Sequence, residues 1–167
     1  HHGHTATPRT PDLREAIAEK LRRDNGLTYD PATEIVCCSG GKQAIAETVL
    51  AVCRPGDEVL VPAPFWVSYP EQARLAGATP VIGDTSPADG YLMSPEALEA
   101  AITDKTRLLV FNSPSNPTGA VYSPDQIEAI AMVLRRHPHV LVRSDEIYEY
   151  VVYDAEHASI AACEGMR

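Results

Sequence analysis

The chain has 167 residues, of which 44% are hydrophobic and 22% are charged, as is typical of a soluble globular protein of about one domain. Lysine and arginine together number 14 and aspartate and glutamate 23, so the formal charge of −9 argues against a surface that binds nucleic acid or an anionic membrane. No apolar run approaches the roughly 18 residues of a membrane-spanning helix, and no signal peptide is recognised, so we expect a cytoplasmic protein.

The cysteines and the histidine-rich start of the chain give little indication of a metal site. A zinc site needs ligands at converging spacings, and no CxxC pair occurs among Cys37, Cys38, Cys53 and Cys163. Buried, reduced thiols are the favoured interpretation, and they suit a reducing compartment. The initial HHGH allows a metal-binding tract, but we favour a tag remnant or frayed terminus and assign residues 1–10 to such an arm.

Helices and strands alternate along the chain. Apolar residues recur every four positions across residues 13–21 and predict a helix that ends at Asn25-Gly26. The later elements are a buried strand at 34–38, a helix after Gly40-Gly41, a strand at 58–62, a helix before Gly77, a strand at 79–84, a helix from 95, a strand at 107–112, a helix from 124 and a strand at 139–144. Ser94 is the expected N-cap of the helix from 95, and Ser123 with Gln126 predicts a capping box. The alternation indicates an α/β fold of three layers, α/β/α, with a mostly parallel sheet.

Four predicted strand ends carry unusual residues, and ligands of open α/β sheets bind beyond the carboxyl ends of the strands. After the first strand, Gly40, Gly41 and Lys42 lead into a helix whose N-terminal N–H groups favour an anion such as phosphate, although a plain tight turn is an equal alternative. After the second, Trp66 suits stacking on a flat ring, although core packing explains a lone tryptophan at least as well.

The other two ends carry an amide, a carboxylate and a phenol. Asn116 lies in the turn SNPTG, where a cis bond before Pro117 would aim it inward, although these residues also suit a turn alone. Asp145 follows the last strand, three residues before Tyr148, and a helix N-cap is the alternative for a lone aspartate. Together the four ends describe a site for a flat, phosphorylated ring with a protonatable nitrogen and a phenolic oxygen, which is pyridoxal 5′-phosphate.

The sequence resembles the aspartate aminotransferase family of fold-type I pyridoxal-phosphate enzymes, and the bacterial type in particular. The matching stretches follow the family order over residues 4–166 and are HTATPRTPDLREAIAEKL, SGGKQAI, PAPFWVSYPE, SPSNPTGAVYS and SDEIYE. The resemblance implies that residues 11–167 are part of a cofactor-binding large domain and that the protein is a homodimer. It also implies that the full-length protein transfers an amino group between an amino acid, with aspartate the expected one, and a 2-oxo acid.

The resemblance implies a role for each position of the predicted phosphate turn and the aromatic loop. Gly40, Gly41 and Lys42 would bind the cofactor phosphate, mainly through backbone N–H groups. Trp66 would lie over the cofactor ring. Phe65 departs from the family, which often has a tyrosine there, and so lacks one hydroxyl.

The resemblance also implies roles at the two later strand ends. Asn116 and Tyr148 would hydrogen-bond the O3′ oxygen of the ring. Asp145 would pair with the ring nitrogen and keep it protonated, so that the ring acts as an electron sink. Arg143 lies in a strand whose residues are usually all hydrophobic in the family. We expect its side chain either to extend to solvent or to pair with a carboxylate.

Other family positions differ or are missing. His4 stands where the family usually has a tyrosine that reaches the partner subunit's cofactor phosphate, and Arg9 stands where it has a glycine. The family's Schiff-base lysine follows a strand that would lie beyond residue 167, and none of the chain's lysines, Lys20, Lys42 and Lys105, stands in an equivalent context.

We therefore assign no catalytic residue and expect the isolated chain to be inactive, since both of its ends resemble cuts through a larger fold. Two alternatives stay open. The chain could be part of another fold-type I enzyme, such as a lyase, or a non-catalytic module that binds pyridoxal phosphate or dimerises.

Overall fold

The structure is a computed structural model that describes residues 10–167 in two units, one up to residue 44 and one from residue 45 to residue 167. The interpretations of the HHGH tract, His4 and Arg9 concern residues outside this range. Within the range, no helix combines the length and the apolar character needed to cross a membrane.

The main element of the first unit is helix α1, Pro11–Asn25, which has the predicted bounds. Pro11 suits the first helical position, where the backbone N–H has no intrahelical partner. Gly26 ends the helix in the left-handed conformation, with a φ of 68°, and the Leu27 N–H donates to the Leu21 carbonyl over 3.1 Å. No residue of α1 is buried, so the apolar stripe that predicts the helix is only partly covered.

The predicted strand at 34–38 is wrong. These residues adopt no strand pairing, and the apolar run is not uniformly buried, since Ile35 is 8% exposed and Val36 is 64% exposed. A strand exists only with a hydrogen-bonded partner, and no strand in the described range pairs with this segment. The thiols of Cys37 and Cys38 are accordingly half-buried, whereas Cys53 is buried as expected.

The second unit contains a four-stranded parallel sheet. Its elements are β1 (Glu58–Pro62), α3 (Ser68–Leu75), β2 (Thr79–Gly83), α4 (Pro95–Ala101), β3 (Thr106–Asn112), α5 (Pro124–Arg136) and β4 (Leu141–Asp145). Helix α2, Gly41–Val52, begins in the first unit and continues into the second. The strand order is β2-β1-β3-β4, and every neighbouring pair is parallel. The predicted α/β fold with a parallel sheet is confirmed.

Helices cover both faces of the sheet, as the predicted three layers require. On one face, α4 and α5 pack against alternate strand residues in a core that includes Leu60, Leu98, Leu109, Phe111, Ile127 and Ile130. On the other face, α3 and the later part of α2 pack in a second core that includes Val49, Val59, Val61, Tyr69, Leu108 and Val110. Because successive side chains of a strand point to opposite faces, continuous apolar strands such as β3 are buried on both sides.

The predicted helix starts of α4 and α5 are confirmed by their hydrogen bonds. The Ser94 hydroxyl accepts from the Ala97 N–H over 3.1 Å. Ser123 and Gln126 form the expected capping box, in which the Gln126 side chain accepts from the Ser123 N–H over 2.8 Å. Both caps satisfy N–H groups that have no partner within their own helix.

We predict that Ser123→Ala lowers the free energy of unfolding by about 1 kcal/mol, because the N–H of Gln126 loses its acceptor. Urea denaturation followed by far-ultraviolet circular dichroism measures the change. Ser68→Ala is the control, since Ser68 is the first residue of α3 and not its N-cap, which is Val67. Equal midpoints for Ser123→Ala and the unsubstituted chain would show that the box contributes nothing.

Candidate functional site

The carboxyl ends of β3 and β4 lie side by side, because Asn112 is the register partner of Asp145. The Asn112 amide donates to the Asp145 carbonyl over 2.8 Å and to the Pro114 carbonyl over 3.1 Å. Its side-chain oxygen accepts from the Asn116 N–H over 2.8 Å. One amide side chain therefore fixes the end of β4 and the turn that follows β3.

The turn after β3 places the Asn116 amide beside the Tyr148 phenol. The Nδ2 atom of Asn116 donates to the Tyr148 hydroxyl over 3.3 Å, although 32 residues separate the two in sequence. The peptide bond between Asn116 and Pro117 is cis, as the sequence analysis allows. Asn116 is half-buried and Tyr148 is 36% exposed, so a ligand atom can reach both polar groups.

The Asp145 carboxylate is held by a buried tyrosine. The Tyr69 hydroxyl donates to Asp145 Oδ2 over 2.8 Å, and the Ile147 N–H donates to Oδ1 over 3.4 Å. No α-helix begins at Asp145, because residues 147–150 form turns, so the helix N-cap alternative does not apply. One lone pair of each oxygen remains for a further donor.

An aromatic pair links Trp66 to this carboxylate. Trp66 is half-buried and meets the edge of Tyr69, with the ring centroids 5.4 Å apart at 87°. Trp66 also packs against the core on the α3 face of the sheet. Burial and the neighbouring Asp145 charge raise the pKa of Tyr69 well above its ordinary value of 10.0, so the phenol remains a donor.

Arg143 behaves differently from both expectations for it. It is 8% exposed, so it does not extend to solvent, and none of its three side-chain nitrogens has a hydrogen-bond partner in the described part of the chain. The guanidinium lies 4.7 Å from the centroid of the Tyr69 ring. Desolvation lowers the pKa of Arg143, and the nearby Tyr69 and Asp145 partly oppose that effect.

The predicted phosphate turn belongs to the first unit. Gly40 has a φ of 95°, a conformation that favours glycine, and α2 begins at the next residue. A Cβ added to Gly40 or Gly41 would meet no atom within 4 Å, so a ligand could approach the backbone closely. Lys42 is exposed. The sequence-predicted residues that the structure links within the second unit are Trp66, Asn116, Asp145 and Tyr148.

Glu146 fixes the loop that carries Tyr148. Its carboxylate accepts from the Ser144 hydroxyl over 2.6 Å and the Ser159 hydroxyl over 2.7 Å, and it lies 3.0 Å from His157 Nε2. The loop between Glu146 and Ser159 is thereby closed at its base. Glu149 lies near this cluster, whose ligand atoms are within 4.8 Å of one another.

Three residues that hold other site residues in place were not predicted from the sequence, namely Asn112, Tyr69 and Glu146. Asn112 is the last residue of a predicted strand, which was a signal that its amide reaches the neighbouring strand end. Tyr69 follows Trp66 by three residues, close to one helical turn, so both can face the sheet. Nothing in the sequence marks the two serines and the histidine that surround Glu146, because they come from both ends of a loop.

A small cavity lies between the loops that follow β1 and β3. Its volume is about 30 Å³, and Phe65, Tyr69, Asn112, Asn116 and Tyr122 contribute to its lining. That volume suits one or two water molecules and not an aromatic ring. A flat ligand would therefore not fit inside this cavity.

We predict that the unsubstituted chain loses stability more steeply than Tyr69→Phe as the pH rises above about 10. The folded-state pKa of Tyr69 is raised, so the unfolded chain releases this proton first and the tyrosine's contribution to stability is lost with increasing pH. Urea denaturation at a series of alkaline pH values measures the two slopes. Tyr153→Phe, at a residue that is 89% exposed, is the control, and identical slopes for all three proteins would contradict the prediction.

We predict that Arg143→Leu raises the free energy of unfolding by about 1–3 kcal/mol, because it removes a buried cation that has no hydrogen-bond partner in residues 10–167. Arg143→Lys keeps a buried cation and should bring no such gain. Both are measured by urea denaturation at neutral pH. A large loss of stability in Arg143→Leu would mean that stacking on Tyr69 outweighs the desolvation cost.

Comparison with known proteins identifies the family to which the chain belongs. The family described as aminotransferase class I and II matches residues 2–166. A bifunctional aspartate aminotransferase and glutamate/aspartate-prephenate aminotransferase of Petunia hybrida is 55% identical over 98% of this chain and 35% of its own length. The solved aspartate aminotransferase from Thermus thermophilus with maleate has a TM-score of 0.91 and 46% identity, over 95% of this chain and 41% of that one.

A solved aromatic aminotransferase from Pyrococcus horikoshii has a TM-score of 0.94 and 44% identity, over 98% of this chain and 44% of that one. The chain thus spans well under half the length of the relatives it matches. Because the family match covers almost every residue of the sequence, the chain belongs to the class I and II aminotransferases.

Proposed function

We propose that this chain is the cofactor-binding part of a pyridoxal-phosphate-dependent aminotransferase. The full-length protein would transfer an amino group between aspartate and a 2-oxo acid. The observation that carries the proposal is the pair of strand ends, where Asn112 binds both the backbone of Asp145 and the turn whose Asn116 donates to Tyr148. A carboxylate, an amide and a phenol at one edge of a sheet are suited to a ring that carries a basic nitrogen and a phenolic oxygen.

The donor set fits pyridoxal 5′-phosphate in its chemistry. Asp145 would accept the ring N–H, and Asn116 and Tyr148 would hydrogen-bond the phenolic oxygen. Trp66 would lie against the ring face, and the N–H groups at Gly40 and Gly41, with Lys42, would bind the phosphate. When bound, the cofactor supplies an electron sink for the carbanion that forms at the substrate Cα.

The protein's own contribution is to orient the Asp145 carboxylate. The Tyr69 hydroxyl holds one carboxylate oxygen, and its raised pKa means that it donates and does not compete for the proton. Asn112 fixes the backbone at Asp145. The carboxylate is therefore placed before any ligand arrives, and little reorganisation is needed on binding.

The substrate and the partner subunit are parts of the same proposal. Aspartate is favoured because the Petunia hybrida and Thermus thermophilus proteins carry that substrate in their names. The Pyrococcus horikoshii protein is named for aromatic amino transfer, so a different amino acid is the nearest alternative. We further propose a homodimer and a cytoplasmic location, which suits thiols that form no disulfide among the described residues.

A second candidate is a non-catalytic module that binds the cofactor or dimerises. It is favoured by the positions of two of the lysines. Lys105 precedes β3, at the end of the strand opposite Asn112. Lys20 is on α1, where it donates to the Asn25 side chain over 2.8 Å. The family's covalent lysine and the arginines for substrate carboxylates would belong to sequence that these 167 residues do not include. The relatives are more than twice as long as this chain, which supports the placement of those residues outside it.

We predict that pyridoxal 5′-phosphate quenches the fluorescence of Trp66, the only tryptophan, in a saturable way. Asp145→Asn should raise the Kd about tenfold, because a charge-assisted hydrogen bond to the ring is lost. Asp104→Asn, in the turn that precedes β3 and far from the carboxyl end of that strand, is the matched control and should leave the Kd unchanged. Quenching that does not saturate, or that is identical in all three proteins, would count against the cofactor site.

We predict negligible transaminase activity when the chain is mixed with aspartate, 2-oxoglutarate and pyridoxal 5′-phosphate, because no lysine is placed to form the covalent bond to the cofactor. Borohydride reduction followed by peptide mass spectrometry tests the same point and should give no specific lysine adduct. Ordinary turnover, or a specific adduct at Lys42, would overturn the assignment of the lysine to another part of the protein.

A further inference from the structure

Arg143 is a buried charge that the proposed function leaves unexplained. It is 8% exposed, and its Nε and both terminal nitrogens have no hydrogen-bond partner among the described residues. An unpaired cation in such a place costs stability, so it is rarely present without a purpose. Its register partner on β3 is the apolar Val110, which offers it no acceptor.

The geometry ties this charge to Asp145. The two residues are two apart on β4, so their side chains point to the same face of the sheet from Cα atoms about 7 Å apart. Tyr69 lies against both, because its ring centroid is 4.7 Å from the guanidinium and its hydroxyl donates to the carboxylate over 2.8 Å. Arg143 and Asp145 themselves form no hydrogen bond within the described range.

Few other ionisable groups share this environment. Tyr69, from α3, and Asp145, from β4, are the groups that interact electrostatically with Arg143, and Tyr148 interacts with Tyr69 in turn. Burial keeps solvent from screening the guanidinium, so its field extends to the carboxylate and to whatever the carboxylate binds. A positive charge at this range disfavours a second positive charge nearby.

We propose that Arg143 weakens the protonation of the cofactor's ring nitrogen by placing a fixed positive charge beneath Asp145. This inference rests on the proposed function. Arg143 acts through Asp145 and does not touch the cofactor, so it is a positioning residue and not a catalytic one. A ring nitrogen that loses its proton more readily makes the ring a weaker electron sink. The pH range in which the ring nitrogen stays protonated therefore ends at a lower pH.

The test is a nitrogen-15 NMR titration of ring-labelled pyridoxal 5′-phosphate bound to the 167-residue chain. In Arg143→Leu the pKa of the ring nitrogen should rise by about one unit, since a like charge is removed. Arg143→Gln removes the charge but keeps a polar side chain, and it should show the same rise. Arg136→Leu removes an exposed cation at the end of α5 that pairs with Glu99 of α4, and it should change nothing.

The outcomes separate this inference from the proposed function. Saturable quenching of Trp66 together with equal nitrogen titrations in the unsubstituted chain and Arg143→Leu would overturn the inference alone. The absence of a rise in Arg143→Gln would also overturn it, because the effect of Arg143→Leu would then come from polarity and not from charge. Failure of the unsubstituted chain to bind the cofactor would overturn both. If Arg143→Leu does not fold, Arg143→Met replaces it with a side chain of similar length.

Discussion

The parallel pairing of β3 with β4 places Asn112 opposite Asp145, and the rest of the site depends on that register. The Asn112 side chain uses its donor on the neighbouring strand end and its acceptor on the following turn. A slip of one residue would turn Asp145 to the other face of the sheet, away from Tyr69. Asn112 therefore fixes the backbone at Asp145 relative to the turn that carries Asn116.

The polar groups of the site rest on an aromatic residue that belongs to the core. Tyr69 is 4% exposed and packs with the apolar residues of α2 and α3, yet its hydroxyl reaches the Asp145 carboxylate. The Arg143 guanidinium lies over the face of the same ring. Packing and electrostatics are thus joined at one side chain, since a change in the position of α3 would alter both the carboxylate and the cation.

Short sequence patterns were enough to predict most of the fold. The caps at Ser94 and Ser123 and the stop at Gly26 depend on neighbouring residues alone, so their sequence patterns predicted them correctly. The segment 34–38 was predicted wrongly because a strand depends on a distant partner that an apolar run does not reveal. The Asn116–Tyr148 contact was anticipated in outline, because both residues follow strands whose carboxyl ends share an edge.

The sequence by itself determined the alternation of helices and strands, the parallel sheet and the polar residues at the carboxyl ends of its strands. Only the tertiary structure decided the partners of those residues. Tyr69 and Asp145 are 76 residues apart, and their hydrogen bond depends on how α3 packs on the sheet. The burial of Arg143 without a hydrogen-bond partner among the described residues could not be predicted either. A charged residue in a strand predicts solvent or a counter-ion, and whether either is within reach is a property of the packed fold.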